Sequence, residues 1–335
     1  MRTALAVLLS TGLLLWATGP AAPAAPLFQG KTVTIVVGYP PGGGYDRMAR
    51  LVARYFEKYL PGGPTVVVQN MPGAASIVAA NHVYGTARSD GLVLGAFNRN
   101  LVLAQLVKVD GVRFDMNRFA WIGSPSTETT VLVLRGDLPH RTLDDLRTSR
   151  EPLHIGATGP GASTFDFPLL LKAFLGANLR IVSGYPSGTE VNLAMERKEM
   201  DGRAGSFSSL KALIDRGLMR PILRGRASVA EIEKLPVDED LAADPRRRAV
   251  MALRSAPDIV GRPFVAPPGT APEIIQAYRD ALANLSKDRD FLTEATRAGF
   301  EIQMSSGDQA LRLTRQVLNA PPDVVRIFGQ FFKFE

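Results

Sequence analysis

The chain of 335 residues contains no cysteine. That absence removes disulfides, Cys–His zinc sites, iron–sulfur clusters and cysteine nucleophiles. Stability must come from the core, which this length permits. Histidine is scarce: His82, His140 and His154 are the only three, and their separations fit no metal-ligand pattern. They read as structural or solvent-facing, and no metal is expected. Acidic residues are outnumbered, 32 Asp and Glu against 39 Lys and Arg, for a net charge of +7. A basic balance suits nucleic acid, an anionic membrane surface or a small anion. The basic residues are scattered, with Arg246-Arg247-Arg248 the densest group, and neither a zinc-finger spacing nor an aromatic-rich RNA-binding signature is present. Nucleic acid is therefore not an expected partner. No run beyond the N-terminus is long and apolar enough to span a membrane. No solenoid repeat occurs, and no sustained heptad, so a monomer is expected.

Catalytic and cofactor motifs are missing as well. The loop at Gly42 lacks the Lys-Ser/Thr of a P-loop, and it fails Gly-x-Gly-x-x-Gly because its last position is Arg47. Gly161-Ala162-Ser163-Thr164-Phe165 lacks the closing glycine of a nucleophile elbow. Asp144 and Asp145 are adjacent and diverge on a helix, so they form a charged first turn rather than a catalytic pair. The reading is a non-enzyme without a cofactor.

What is present begins at the N-terminus. Arg2 precedes an apolar run from Ala4 to Ala17, followed by small residues to Ala25 with Ala22-Pro23-Ala24 as a cleavage region. This is the layout of a secretory signal peptide, residues 1–25. With no cysteine to lipidate, the mature chain from Pro26 is expected free in the periplasm.

The mature chain alternates short β-branched runs with segments of helical period, the pattern of α/β lobes with mostly parallel sheets. Thr32 to Val37 reads as a buried strand. Asp46 is expected to cap a helix with an apolar face of Met48, Leu51, Val52, Tyr55, Phe56 and Tyr59. A strand from Thr65 to Val68, a small-residue helix from Ala74 to Tyr84 and a strand from Leu92 to Ala96 complete β-α-β-α-β. A second set follows: strands at Thr130 to Leu134, His154 to Ala157, Arg180 to Ser183 and Pro221 to Leu223, with helices between. A returning strand at Phe264 to Ala266 precedes four C-terminal helices.

In open parallel sheets, ligands sit at the carboxyl ends of strands beside helix N-termini. Three loops have that placement: Tyr39-Pro40-Pro41-Gly42-Gly43-Gly44-Tyr45-Asp46, Thr158-Gly159-Pro160-Gly161-Ala162-Ser163-Thr164, and Tyr185-Pro186-Ser187-Gly188-Thr189. Glycine lets backbone N–H groups approach a ligand, and the following helix presents its positive end. One such turn is usually structural. Three in an exported α/β chain point to an anion-binding cleft.

These residues carry a resemblance. The Pro40-Pro41-Gly42-Gly43 loop, Asp46-x-x-Ala49-Arg50, Asn70 with Pro72-Gly73-Ala74, Asp90-Gly91, Thr158-Gly159-Pro160-Gly161, Tyr185-Pro186-Ser187-Gly188, Glu199-Met200-Asp201-Gly202 and Ala266-Pro267-Pro268-Gly269 together resemble the tripartite tricarboxylate transporter receptors, or Bug-type periplasmic binding proteins. The likeness covers nearly the whole mature chain. It implies a two-lobed, type II-like periplasmic binding protein fold with the ligand cleft between lobes. Lobe 1 would hold residues 26–124 and 259–335 and lobe 2 residues 125–258, with hinge crossings near 124 and 258. It further implies a small di-, tri- or aromatic carboxylate as ligand. Tyr39, Pro41, Gly42, Gly43 and Tyr45 would hold one carboxylate, with Asp46 fixing the loop. Thr158, Gly159, Ser163, Thr164, Ser187 and Gly188 would hold the other side, and Asn98 would add a polar group. The partner implied is a membrane transporter; the alternative is a membrane sensor kinase that reads the closed lobes. Two departures bear on the far end of the ligand. Many family members carry a histidine where this chain has Phe165, which points to a ligand with an apolar or aromatic body. The segment Gly202 to Leu210, with Arg203 and three serines, also differs from the common form.

Overall fold

The computed structural model describes residues 26–227 and 229–331; the expected signal peptide, 1–25, lies outside them. Eleven strands occur among the described residues: β1 (Thr32–Val37), β2 (Thr65–Asn70), β3 (Val93–Ala96), β4 (Ala120–Ser124), β5 (Thr130–Arg135), β6 (Leu153–Gly156), β7 (Leu179–Val182), β8 (Gly202–Ser206), β9 (Met219–Arg224), β10 (Phe264–Ala266) and β11 (Ser305–Ser306). Twelve α-helices accompany them: α1 (Gly44–Tyr59), α2 (Ile77–Gly85), α3 (Leu101–Leu106), α4 (Leu143–Thr148), α5 (Ser163–Leu175), α6 (Gly188–Glu196), α7 (Phe207–Asp215), α8 (Pro245–Ser255), α9 (Pro272–Leu285), α10 (Arg289–Arg297), α11 (Gly307–Leu318) and α12 (Pro322–Gly329).

The strands divide into two sheets, ordered β11-β4-β10-β3-β1-β2 and β7-β6-β8-β5-β9. β1 pairs in parallel with β2 and β3, and β6 with β7 and β8. β10 runs antiparallel to β3 and β4, and β5 antiparallel to β8 and β9. Each lobe is thus built on a mixed sheet: β10 and β11 run against the other four strands of the first, and β5 against the other four of the second. β5 and β10 are the strands the chain forms first after crossing from the other lobe. The crossings lie between Ser124 and Thr130 and between Arg224 and Phe264. The C-terminal segment also spans the lobes: the Phe331 ring meets Phe174 of α5 edge-on at 5.1 Å.

β1 is an interior strand covered on both faces, and Val33, Ile35, Val36 and Val37 are all buried. That explains an apolar run without alternation. The apolar stripe on α1 is buried from Met48 to Phe56. Phe56 packs against Phe264 of β10 and Tyr278 of α9, with ring centroids 6.3 and 5.9 Å apart. Burying a ring of this size contributes roughly 1.5–3 kcal/mol.

Several elements are absent from the sequence reading. β4, β11 and α3 were not expected, and neither was β8, whose Gly-Arg-Ala-Gly-Ser carries no apolar run. β8 is nonetheless interior, between β6 and β5. The expected helix from Ala74 begins only at Ile77. Ala74, Ala75 and Ser76 instead adopt left-handed backbone, with φ of 43°, 50° and 84°. Such conformations cost of order 1–3 kcal/mol each and persist only where surroundings enforce them. Here the buried Ser76 hydroxyl donates to the Gly38 carbonyl (3.1 Å) and accepts from the Asn98 N–H (3.3 Å).

Candidate functional site: a cationic cleft between the lobes

A cavity of about 300 Å³ lies between the two sheets, walled by both lobes. From the first lobe come Tyr39, Gly42, Gly43, Tyr45 and Asn98; from the second come Thr158, Ser163, Thr164, Ser187 and Gly188. All of these were singled out from sequence. Three others were placed differently. Pro41 is exposed and off the wall. Gly159 lines an adjoining pocket with Pro160, Tyr185 and Pro186. Asp46 is buried beneath the loop rather than facing the cavity. Phe165 is also off the wall, because the first turn of α5 presents Ser163 and Thr164 instead; an aromatic contact with the ligand has no basis at that position.

The first loop is fixed from below. Gly42 has φ of 86°, a conformation open to glycine. Its N–H donates to the Asp46 carboxylate at 2.8 Å. Asp46 also accepts from Arg50 Nε (3.0 Å) and Asn70 Nδ2 (2.9 Å), and the same Asn70 amide reaches the Tyr39 carbonyl. Burial would raise the Asp46 pKa, but the bonds from Arg50, Gly42 and Asn70 outweigh it and hold the carboxyl below its ordinary value. Asp46 therefore does not cap α1. The helix begins at Gly44, and its N-cap, Gly43, offers no side chain, so the first N–H groups of α1 have no capping side chain and are free for an anion.

The second loop has the same construction. Thr164 Oγ1 accepts from the Thr158 N–H (3.1 Å) and pairs with its hydroxyl (2.7 Å), while the Gly161 N–H donates to Asp166 at 3.0 Å. α5 likewise begins without a side-chain cap, after Ala162. At the third loop Ser187 caps α6 by accepting from the Thr189 N–H (3.1 Å), and its hydroxyl also pairs with Glu190.

Sequence reasoning named none of the charged groups as a ligand contact, although it marked Arg203 as part of a segment bearing on the far end of the ligand. Arg47, Arg99, Arg203 and Arg262 all line the cavity, and no Asp or Glu does. Two of the four are neutralised by buried ion pairs, Arg99 with Asp258 and Arg262 with Glu128, both at 2.7 Å. Burial disfavours the charge on Arg99, yet Asp258 and its other neighbours outweigh that and raise its pKa. Arg47 donates to the Ala298 carbonyl (3.1 Å); burial and the Arg262 charge lower its pKa. Arg203 is buried with no carboxylate beside it among the described residues, and burial pushes its pKa down to about 10. It remains charged at neutral pH. Burial also raises the Tyr39 hydroxyl, as does Tyr45, on which it stacks at 5.2 Å.

Direct bonds join the lobes around the cavity. Asn98 Nδ2 donates to the Gly161 carbonyl at 2.8 Å, and Arg99 Nη1 to Ser206 Oγ at 3.3 Å. The wall thus combines uncapped helix N-termini, hydroxyls and guanidinium groups, a set suited to holding an oxyanion. None of the three histidines lies on it. Among the described residues no His, Cys, Asp and Glu cluster could hold a metal ion, and no helix is long and apolar enough to cross a membrane.

The fold is the two-lobed periplasmic-binding-protein fold, with the cleft between its lobes. The backbone matches BugD with a TM-score of 0.74 at 20% identity, covering 91% of this chain and 98% of that one. It matches MatC from Rhodopseudomonas palustris, solved with bound malate, at 0.69 and 18%, covering 90% and 99%. A second R. palustris protein, solved with adipate, matches at 0.71 and 19%, covering 89% and 97%. At these identities the likeness is one of fold.

The chain belongs to the tripartite tricarboxylate transporter family of receptors, whose family model matches residues 48–329. Among curated relatives, a protein encoded in the TAR-I ttuE-ttuC' intergenic region of Agrobacterium vitis is 29% identical over 182 residues, 53% of this chain and 51% of that protein. Protein BugT of Bordetella pertussis is 37% identical over 86 residues, 25% of each chain. The chain spans about half the length, or less, of the curated relatives it matches. The sensor-kinase alternative gains no support from these likenesses.

Proposed function

We propose that the protein is an exported receptor that captures a small carboxylate in the interlobe cavity and delivers it, unchanged, to the membrane subunits of a tripartite tricarboxylate-type transporter. One observation carries the reading: the cavity wall holds four arginines and the uncapped starts of α1 and α5, and no acidic side chain. A single exposed helix terminus is worth only about 0.3–1 kcal/mol toward an anion. Convergent N–H donors and a buried guanidinium together make a site. That related folds were solved holding malate and adipate supports a carboxylate cargo.

In this reading the ligand contacts are the thirteen positions named from sequence less Pro41, Gly159 and Asp46, with the four arginines added. Lobe 1 is residues 26–124 and 259–335, lobe 2 is 125–258, and they rotate about the crossings tied by Arg99–Asp258 and Glu128–Arg262. The mature receptor, from Pro26, acts as a periplasmic monomer.

Thermal shift of that mature chain against mono-, di-, tri- and aromatic carboxylates is the test. A ligand at about 100 times its dissociation constant adds roughly 2.7 kcal/mol of stability, a rise of several degrees. A flat response from a chain that circular dichroism reports as folded would reject carboxylate capture.

A further inference from the structure

Arg203 is an unusual group to bury. It lies in the interior strand β8 with 5% of its surface exposed. Its Nε donates to the Ala204 carbonyl (3.1 Å), and its Nη1 to the Gly188 carbonyl and to Asn192 Oδ1 (2.8 Å). These partners are neutral. Nη2, with two N–H donors, has no hydrogen-bond partner among the described residues. The space around it is kept open by two glycines of the cavity wall. A Cβ at Gly188 would lie 2.3 Å from Nη2, and one at Gly205 would lie 2.7 Å from it. The neutral partners aim and hold the guanidinium, and Nη2, the nitrogen left without a partner, lies beside two glycines of the cavity wall.

A buried cation without a counterion is costly, and proteins ordinarily pair it. The neighbouring arginines show how this chain does so, through Asp258 and Glu128. Arg203 has no such partner, and the cavity it lines offers no carboxylate of its own. The missing counterion must arrive with the ligand. The starts of α1 and α5 and the loop at Gly42 already provide for one acidic group. The absence of Asp and Glu from the wall also leaves a ligand ammonium group without a counterion, among like-charged arginines.

Building on the carboxylate reading above, we propose that Arg203 is the specificity-determining residue of this cleft: it forks onto a second acidic group of the cargo and, with no acidic side chain on the wall, disfavours a ligand ammonium group. Planar guanidinium and carboxylate match in a bidentate pair, which gives direction as well as strength.

Isothermal titration calorimetry of the mature protein with succinate, glutarate, adipate and pimelate tests this. Each is compared with the straight-chain monocarboxylate of equal carbon number, and the tightest also with its 2-amino derivative. The expected result is a dicarboxylate preference of about 100-fold over the monocarboxylate, the scale of one charge-assisted bidentate contact, and of at least about 10-fold over the amino derivative. Arg203→Gln should bring the dicarboxylate down to the level of the monocarboxylate, whose own affinity changes less than about threefold; Arg203→Lys should fall between. A monocarboxylate that binds the wild type as tightly as its dicarboxylate, or a folded Arg203→Gln protein that keeps the preference, overturns the assignment while leaving carboxylate capture intact. Should Arg203→Gln fail to fold, the wild-type comparisons decide alone. Binding by neither series rejects carboxylate capture itself, and the assignment with it.

Discussion

Asp46 and Asp166 hold the same post in the two lobes with opposite electrostatics. Each sits in the first turn of the helix after a glycine-rich loop and accepts from that loop's backbone, at Gly42 (2.8 Å) and Gly161 (3.0 Å). Asp46 has Arg50 and Asn70 besides. Asp166 has one oxygen with no partner, and burial pushes its pKa well above 3.8, against the Gly161 bond and the charge of Arg254. One lobe holds its loop with an anion, the other with a carboxyl that resists ionising.

Asp46→Ala should cost about 1–3 kcal/mol, since the Gly42 N–H loses its acceptor. The folded pKa is lowered, so the carboxylate's contribution is complete above the ordinary value of 3.8 and is lost as pH falls through the folded value. The melting-temperature gap between wild type and variant should stay constant from neutral pH to about pH 5 and close below 3.8. A gap that widens on acidification would contradict this account.

Asp166→Asn should behave in the opposite sense. The folded pKa is raised, so wild-type stability falls as pH rises from 3.8 toward that value. Asparagine keeps an acceptor for the Gly161 N–H and carries no charge. The variant should be neutral or stabilised at pH 7, with its advantage gone below pH 4; calorimetric scans at the two pH values check it. Destabilisation that grows with pH would refute the reading.

Gly44→Val tests the approach of the lobes. A Cβ there would lie 2.4 Å from Ser209 Oγ and 2.5 Å from Arg262 Nη2. Overpacking of this kind costs about 1–3 kcal/mol, and here it falls on closure rather than on either lobe's core. Ligand affinity should drop about 10-fold or more, and small-angle scattering should show a larger radius of gyration. Unchanged values of both would place the hinge elsewhere.

Arg99→Met should cost about 1–3 kcal/mol in urea denaturation, because Asp258 loses its 2.7 Å partner and keeps only Arg254, at 3.9 Å. Adding Asp258→Asn, which keeps an acceptor for the Thr130 hydroxyl, should recover most of that loss. Equal stability of the single and double variants would show that the pair does not tie the crossings.

Much of the fold could be read directly. The run from Thr32 to Val37 and the stripe from Met48 to Phe56 are local patterns, and the glycine-rich loops stand where sheet geometry puts ligands. β8 escaped because its burial comes from its neighbours in the sheet and not from its own residues. The left-handed backbone at Ala74 to Ser76 escaped for a similar reason: it is enforced by Gly38 and Asn98, distant in sequence. Phe165 was read by position along the chain, but the helix start turns it off the wall.

The sequence by itself determined the α/β alternation, the glycine-rich turns and the exclusion of cysteine chemistry, since each depends on what a residue does to its own backbone or on plain composition. The tertiary structure decided which arginines are spent. Arg99 finds Asp258 across 159 positions and Arg262 finds Glu128 across 134, while Arg203 finds none. Ion pairing acts through space and strengthens where water is excluded, so no spacing along the chain could reveal which cation would be left facing the cleft.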